Sequence, residues 1–417
     1  MTTKRWLGSA APVTDVWTYN LSGTVINQTY STVINGKTVS YVAGASDTVA
    51  TILAGLIAAC SVSSIPEFQE LTPSGVGSVG AYTQMLVTQN LSGRPTVISS
   101  ATTTGAATFT VTNTTVATGP NFFDNSQNWS GGVAPVNSDT LVFDNGSIPC
   151  KYNINTSLTG VTLQVNPGYG GQLGLPVLNQ TGSTPYAEYR TTYLTLAGGT
   201  VNINSALVNQ CNIAFGANTA TVRVLNTATQ RPLQNIPIVL IQGGNSSSNL
   251  YITKGDVGTA FYQGQTATFS TIQSGYAAAA LTDVLLMVGA GTTATTVSTN
   301  GGVITVSANC TTITQGLAGG SMTLTDAVAV TTLNAYGGTV NLNSTGTIGT
   351  LNLYGAAALN CDGDPRPKTI STTNVNSSGV TITDNRKSVN SGTFSAASPG
   401  ITGFTMNHGL NTTIAYT

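Results

Sequence analysis

Charge is scarce in this sequence. Its 417 residues include 13 Lys+Arg and 14 Asp+Glu, 6% in all, with a net charge of −1. An ordinary soluble domain carries about 25%. A nucleic-acid partner is excluded, because displacing counterions from phosphates takes clustered Lys and Arg. Histidine is scarcer still: His408 is the only one. A His-ligated metal centre cannot be built from one histidine per chain, and a Ser-His-Asp triad would have to use that residue. The five cysteines, Cys60, Cys150, Cys211, Cys310 and Cys361, are widely spaced and form no CxxC pair. They read as buried small hydrophobes, neither a disulfide framework nor a thiolate site. No cofactor or metal is expected.

Long apolar runs are missing too. No apolar stretch follows Lys4 and Arg5, so no secretory signal is expected. The most apolar window, 275–290, is short and contains Asp283, so no membrane partner is expected either. Good helix formers are few, whereas Thr, Val, Asn and the 47 Gly favour strands and turns. The fold class expected is therefore mainly β. With 40% hydrophobic residues the chain is not a disordered one.

Residues 1–118 read as an N-terminal α+β module. Asn35-Gly36 sits between the β-rich runs Thr29–Ile34 and Lys37–Val42, a strong hairpin signal because both turn residues must take positive φ. One helix follows, with Ser46 or Asp47 as the expected cap. Val49, Ile52, Leu53, Leu56 and Cys60 make its apolar face, and Pro66 lies beyond its end. Strands are expected at Tyr82–Thr88, Thr96–Ser99 and Ala107–Val116, giving a ββαβββ order. The stretch STVINGKTVSYVAGASDTVATILAGLIAA resembles a small module recurrent in structural proteins of tailed bacteriophages. That resemblance implies an attachment or packing unit without chemistry.

Residues 119–150 read as a linker and solenoid cap. Phe122, Phe123 and Trp129 stand among turn formers, and aromatic side chains can plug the open end of a stacked-strand core. NWSGG.AP…D.LVFDN resembles the opening of many β-helical proteins. A sugar platform at Trp129 is the competing reading.

The body, 151–386, carries a repeat, clearest over 295–360. Gly301-Gly302, Gly319-Gly320 and Gly337-Gly338 recur at a fixed interval of about 18 residues. In step with them, Ile304, Met322, Val340 and Ala358 line up. So do Val306, Leu324 and Leu342; Thr296, Thr314, Thr332 and Thr350; Leu333 and Leu351; and Tyr336 and Tyr354. GGTVNIN at Gly198–Asn204 returns as GGTVNLN at Gly337–Asn343. Eighteen extended residues trace roughly 60 Å, one closed coil of about three faces, with coils stacked about 4.8 Å apart. A β-solenoid is expected, with Ile, Val and Leu inside, Thr and Asn ladders outside and Gly at corners. An intertwined β-prism of three chains is the alternative. Over 205–295 the coils are expected to be longer. NLYITKGDVGTAFYQGQTATFSTIQSG again resembles phage appendage sequences. CDGDPRPK, Cys361–Lys368, adds four residues, so Asn352 realigns with Asn374. Residues 387–417 are expected to form a terminal strand or cap.

Carboxylate pairs are the residues to test for glycan cleavage. Asp362 and Asp364 are the first candidates, with Arg366 and Lys368 beside them. Against catalysis stands an inserted loop whose four charges neutralise each other. Asp-Gly-Asp supplies too few ligands for a dedicated calcium loop. Tyr186, Tyr189, Tyr193, Phe261 and Tyr262, with Glu188 and Asp256, form a second candidate group, with packing as the plainer role. Together these readings imply a structural protein of a phage virion. It would be a rigid homotrimeric β-helical decoration, fibre or appendage that contacts other capsid or tail proteins and is made in the host cytoplasm. The alternatives are a tailspike-like polysaccharide depolymerase and an adhesin for a host surface glycan.

Overall fold

Strand-forming residues alternate inward and outward through most of this chain. The computed structural model describes residues 2–102, 107–181, 184–206, 209–229, 236–275, 283–396 and 405–407. His408 and most of the 397–417 tail lie outside the described residues.

The N-terminal region builds around the expected hairpin. Thr29–Ile34 pairs antiparallel with Lys37–Val42, and Asn35 and Gly36 take φ of 53° and 70°. Ser99–Thr102 adds a third strand. A second antiparallel sheet orders Leu71–Val76, Gln84–Gln89, Val16–Ser22 and Thr108–Thr115. The ββαβββ expectation thus lacked the strands Val16–Ser22 and Leu71–Val76. Helix α1 spans Val49–Ser61 and buries Ile52, Leu53, Leu56 and Cys60 against Tyr19, Tyr30, Met85 and Phe109. Its cap is Thr48 rather than Ser46 or Asp47. The Thr51 amide donates to Thr48 Oγ1 (3.3 Å), and the Thr48 amide donates to Thr51 Oγ1 (2.8 Å), a reciprocal capping box. Asp47 instead accepts from the Gly44 amide and the Tyr41 hydroxyl. Pro66 opens a further short helix, α2 (Pro66–Gln69), at the position where its missing N–H costs nothing.

The body is a β-solenoid of about 11 turns from residue 140 to 395. Among the described residues, two parallel sheets of 13 and 12 strands run along it, and successive coils add one strand to each. The longer strands bend. In Thr292–Thr299 the inward positions are Thr292 and Ala294, then Val297 and Thr299. Two consecutive outward residues, Thr295 and Thr296, turn the chain onto a third side. Lys368–Val375 repeats that pattern at Ser371 and Thr372.

The repeat holds where the coils are shortest. Ile304 lies against Met322 and Met322 against Val340, while Val306, Leu324 and Leu342 form the adjacent inward column. Two alignments shift. Thr296 pairs with Thr312, which pairs with Thr332 and so on to Thr350 and Thr372. Thr314 instead lies between Ser298 and Asn334. Val340 pairs with Leu359 rather than Ala358. The mean period is kept, but corners absorb or lose a residue or two, and the inward alternation fixes which residues meet. The two GGTVN fragments lie in different sheets, Gly199–Asn204 in the 13-stranded one and Thr339–Leu342 in the other. Longer coils carry excursions: Cys211 meets Val239, and Val257 meets Leu286.

The expected corners and ladders are present. Gly302, Gly320 and Gly338 have φ of 101°, 99° and 70°. A Cβ on Gly320 would lie 2.5 Å from the Gly302 carbonyl oxygen, and one on Gly338 would lie 2.6 Å from that of Gly320. Asn352 Nδ2 donates to Asn334 Oδ1 and Asn374 Nδ2 to Asn352 Oδ1, both at 2.8 Å. The Tyr336 and Tyr354 rings stack 4.6 Å apart at 11°. All five cysteines are buried and free, and burial pushes the thiols of Cys60, Cys211, Cys310 and Cys361 up to about 12.

The solenoid's N-terminal end is closed by residues from three segments. Thr3–Arg5 pairs parallel with Thr140–Val142, so the start of the chain belongs to the solenoid although 1–118 reads as one module. Trp129 packs edge-on against Trp6 (5.1 Å), Phe123 (5.2 Å) and Phe143 (5.7 Å). It is 1% exposed, and its Nε1 donates to the Phe123 carbonyl at 2.6 Å. Trp129 therefore presents no open face for a sugar.

Asp139 ties down the first strand. Its carboxylate accepts from the Thr2 amide (2.9 Å), the Thr2 hydroxyl (2.7 Å) and the Val136 amide (3.1 Å). Burial opposes ionisation, but these hydrogen bonds outweigh it and hold the carboxyl below its ordinary value. A depressed carboxyl stabilises the fold above the unfolded pKa of about 3.9, and that contribution is lost as pH falls through the lower folded value. Thr3–Arg5 is expected to be anchored at pH 7 and released below about pH 4. Amide exchange at Thr3–Arg5, relative to intrinsic rates, checks this. Asp139→Asn should reproduce the release at pH 7, and protection unchanged at both pH values would contradict it.

Candidate functional site

Where charge is rare, its location is informative. Three of the basic residues, Arg94, Lys151 and Arg190, come together where the N-terminal module meets the first solenoid coils. The coil from Thr162 to its partner Thr200 makes the long detour responsible. It throws out a hairpin, Leu178–Thr181 with Thr184–Ala187, that reaches α2. The hairpin's return delivers Tyr186, Glu188, Tyr189 and Arg190 to the junction.

Arg190 is 9% exposed and Glu70 4%. Nη2 of Arg190 donates to Glu70 Oε2 (2.6 Å) and to the Tyr189 hydroxyl (2.7 Å). Its Nη1 donates to both oxygens of Glu188 (2.9 and 3.1 Å), and its Nε to the Pro95 carbonyl (2.7 Å). Arg94 Nη2 donates to Glu70 Oε1 and to the Tyr186 hydroxyl. Burial, with the neighbouring Glu70 carboxylate, pushes the Tyr186 hydroxyl up to about 12, so it stays protonated and donates to Glu70. Two carboxylates are thus drawn to one guanidinium and closed from water. Such a network fixes the relative position of two parts of the chain, because breaking it leaves a buried charge uncompensated.

The second candidate group is therefore split. Tyr186, Glu188 and Tyr189 belong to this network. Tyr193, Phe261 and Tyr262 pack elsewhere with Leu240 and Ala214, where Gln265 Nε2 donates to the Tyr193 hydroxyl at 3.0 Å. Asp256 is wholly buried at the start of a solenoid strand. Glu70, Arg94 and Arg190 escaped sequence reasoning because nothing local marks them; their signal was the rarity of charge itself.

Asp362 and Asp364 lie in one loop but serve different contacts. Asp362 accepts from the Asn385 amide (2.7 Å) and Asn385 Nδ2 (2.6 Å) one coil on. Asp364 accepts from Arg366 Nε (2.9 Å) and Nη2 (2.5 Å). Its hydrogen bonds from the Arg366 side chain hold it down at about 2, the wrong direction for a general acid. Lys368 is 1% exposed; its Nζ donates to the carbonyls of Asp364 and Arg366 and to Ser388 Oγ. Of the four charges that the neutralised-loop reading pairs off, Asp364 and Arg366 form an ion pair, while Asp362 and Lys368 are held by amide, carbonyl and hydroxyl groups instead.

Two clefts flank the buried network. One, about 660 Å³, is bordered by Asp124, Lys151, Tyr152, Tyr189 and Arg190. The other, about 400 Å³, is bordered by Arg94, Asn121, Lys151, Tyr152 and Gln172. Among the described residues there is no group of three or more His, Cys, Asp and Glu placed to hold a metal. No helix among them is long and apolar enough to cross a membrane. No known family model matches the chain, and no curated protein matches it in sequence.

Proposed function

We propose that this chain is a structural component of a tailed-phage virion, a rigid β-helical decoration, fibre or appendage held through its N-terminal module. The observation that carries this reading is the solenoid itself, about 11 stacked turns around one continuous core. Every coil is hydrogen-bonded to the coils on either side, and amide ladders reinforce the outside. Such a rod resists bending and proteolysis, because a strand inside it has no free edge. With 6% charge, its surface has few ion pairs for salt to screen, which suits a particle outside a cell.

The proposal keeps a homotrimer as the assembly. The apolar columns of the repeat fill this chain's own core and so do not argue for it. Outside that core, Leu317 and Val303 are 78% and 47% exposed beside the Gly-Gly corners, and Leu225 is 41% exposed. Labelling this chain on purified particles and imaging them tests the reading. Label at regular positions on head or tail is expected. Particles without label, while the chain stays in the infected-cell lysate, would overturn it.

A further inference from the structure

We propose that the cleft between Arg94 and Lys151 binds a carboxylate-bearing sugar residue. This goes beyond a structural role and does not depend on it. The cleft is about 400 Å³, within the range of small-molecule sites. Both cations line it and no acidic residue does.

Its charge balance points to one negative charge. Arg94 and Arg190 are matched by Glu70 and Glu188. Lys151 is half-buried, and no carboxylate of the described residues lies within ion-pairing distance of its ammonium. Asp124 faces the neighbouring cleft, where Asn153 Nδ2 donates to it at 3.0 Å. Burial, and less strongly the charge on Arg94, push the Lys151 ammonium down from its ordinary value. A cation held against both desolvation and a like charge is stabilised by an incoming anion.

The rest of the lining suits a sugar. Asn121, Gln172 and Ser92 offer amide and hydroxyl groups for ring hydroxyls, and Tyr152, Leu175 and Pro176 offer an apolar surface for a ring face. Arg94 uses only Nη2 in the buried network, which leaves Nη1 for the carboxylate. A singly charged carboxylate fits one unmatched ammonium better than a phosphate dianion does.

Calorimetric titration of the full chain with glucuronate, glucose and inorganic phosphate tests this. Glucuronate is expected to bind at least tenfold more tightly than glucose. Lys151→Met should weaken it at least tenfold, and Lys151→Arg should retain it. Gln172→Glu, which adds an anion to the cleft without removing the lysine, should also abolish binding. Unchanged unfolding midpoints show that the variants are folded. Glucuronate that does not bind, that binds no better than glucose, or that ignores Lys151→Met would overturn the proposal. Tighter binding of phosphate than of glucuronate would overturn the sugar assignment.

Discussion

Arg190→Ala is expected to cost about 3–5 kcal/mol of stability, the usual penalty for breaking a buried ion pair. The substitution removes the guanidinium that Glu70 and Glu188 share, in a site closed to water, and leaves Glu70 its pair with Arg94. It also strands the Pro95 carbonyl, which accepts from Arg190 Nε. The loss should be local. Glu70 and Pro95 belong to the N-terminal module and Glu188 to the solenoid's hairpin, so the joint between them weakens while the coils beyond residue 200 keep their contacts. Chemical unfolding should show an early transition for the module ahead of the solenoid, and limited proteolysis should cut near residues 118–125. Arg190→Lys should recover only part of the loss, because an ammonium cannot donate in a fixed fork to two carboxylates. A loss under about 1 kcal/mol, the range of exposed ion pairs, would show that this network does not hold the joint.

Trp129→Ala should cost about 3–5 kcal/mol, the range for removing a large aromatic side chain from a core. Trp129 is 1% exposed and touches three other rings of the plug. Its removal leaves Trp6 without its edge-on partner, and Trp6 belongs to the segment that carries the strand Thr3–Arg5. Release of that strand bares Thr140–Phe143, a free parallel edge able to recruit other chains. The expected result is a lower unfolding midpoint accompanied by growth in light scattering. Trp129→Phe, which keeps a ring in place but loses the Nε1 donor, should fall between. A monodisperse Trp129→Ala protein with an unchanged midpoint would contradict the plug.

How much of this was legible in the sequence follows from where the information sits. The solenoid was readable because stacking makes each inward position repeat: Val306, Leu324 and Leu342 are chemically alike since they fill one column. The same logic explains the low charge, since like charges stacked about 4.8 Å apart along a ladder would repel. Register was less legible. Thr296 and Thr314 match at the mean period, but the intervening corner is shorter, and only the inward alternation reveals that Thr312 is the true partner. The helix cap was misplaced because Ser46, Asp47 and Thr48 are all good cap residues, and geometry alone selects Thr48.

The junction was not legible. Glu70, Arg94 and Arg190 are far apart in sequence and meet through a hairpin that interrupts the repeat. The Asp362–Lys368 insertion, where the repeat shifts, holds four charges close together in sequence. A second concentration lies at the joint between module and solenoid, where irregular backbone supplies carbonyls and cavities instead of stacked rungs.

The central claim is that one chain coils upon itself in this register. The most direct measurement is a double-cysteine pair at Asn352 and Asn374, adjacent rungs on the outer amide ladder. Neighbouring strands about 4.8 Å apart fall within the Cα separation that a disulfide spans. The five native cysteines are buried and should not compete. The account predicts that mild oxidation of Asn352→Cys/Asn374→Cys gives an intrachain disulfide that migrates as one chain on denaturing, non-reducing gels. It also predicts that Asn352→Cys paired with a cysteine at Ile370, the partner a rigid period of about 18 would choose, gives none. A disulfide between chains, as three intertwined chains would form, or one only in the second variant, would contradict the account.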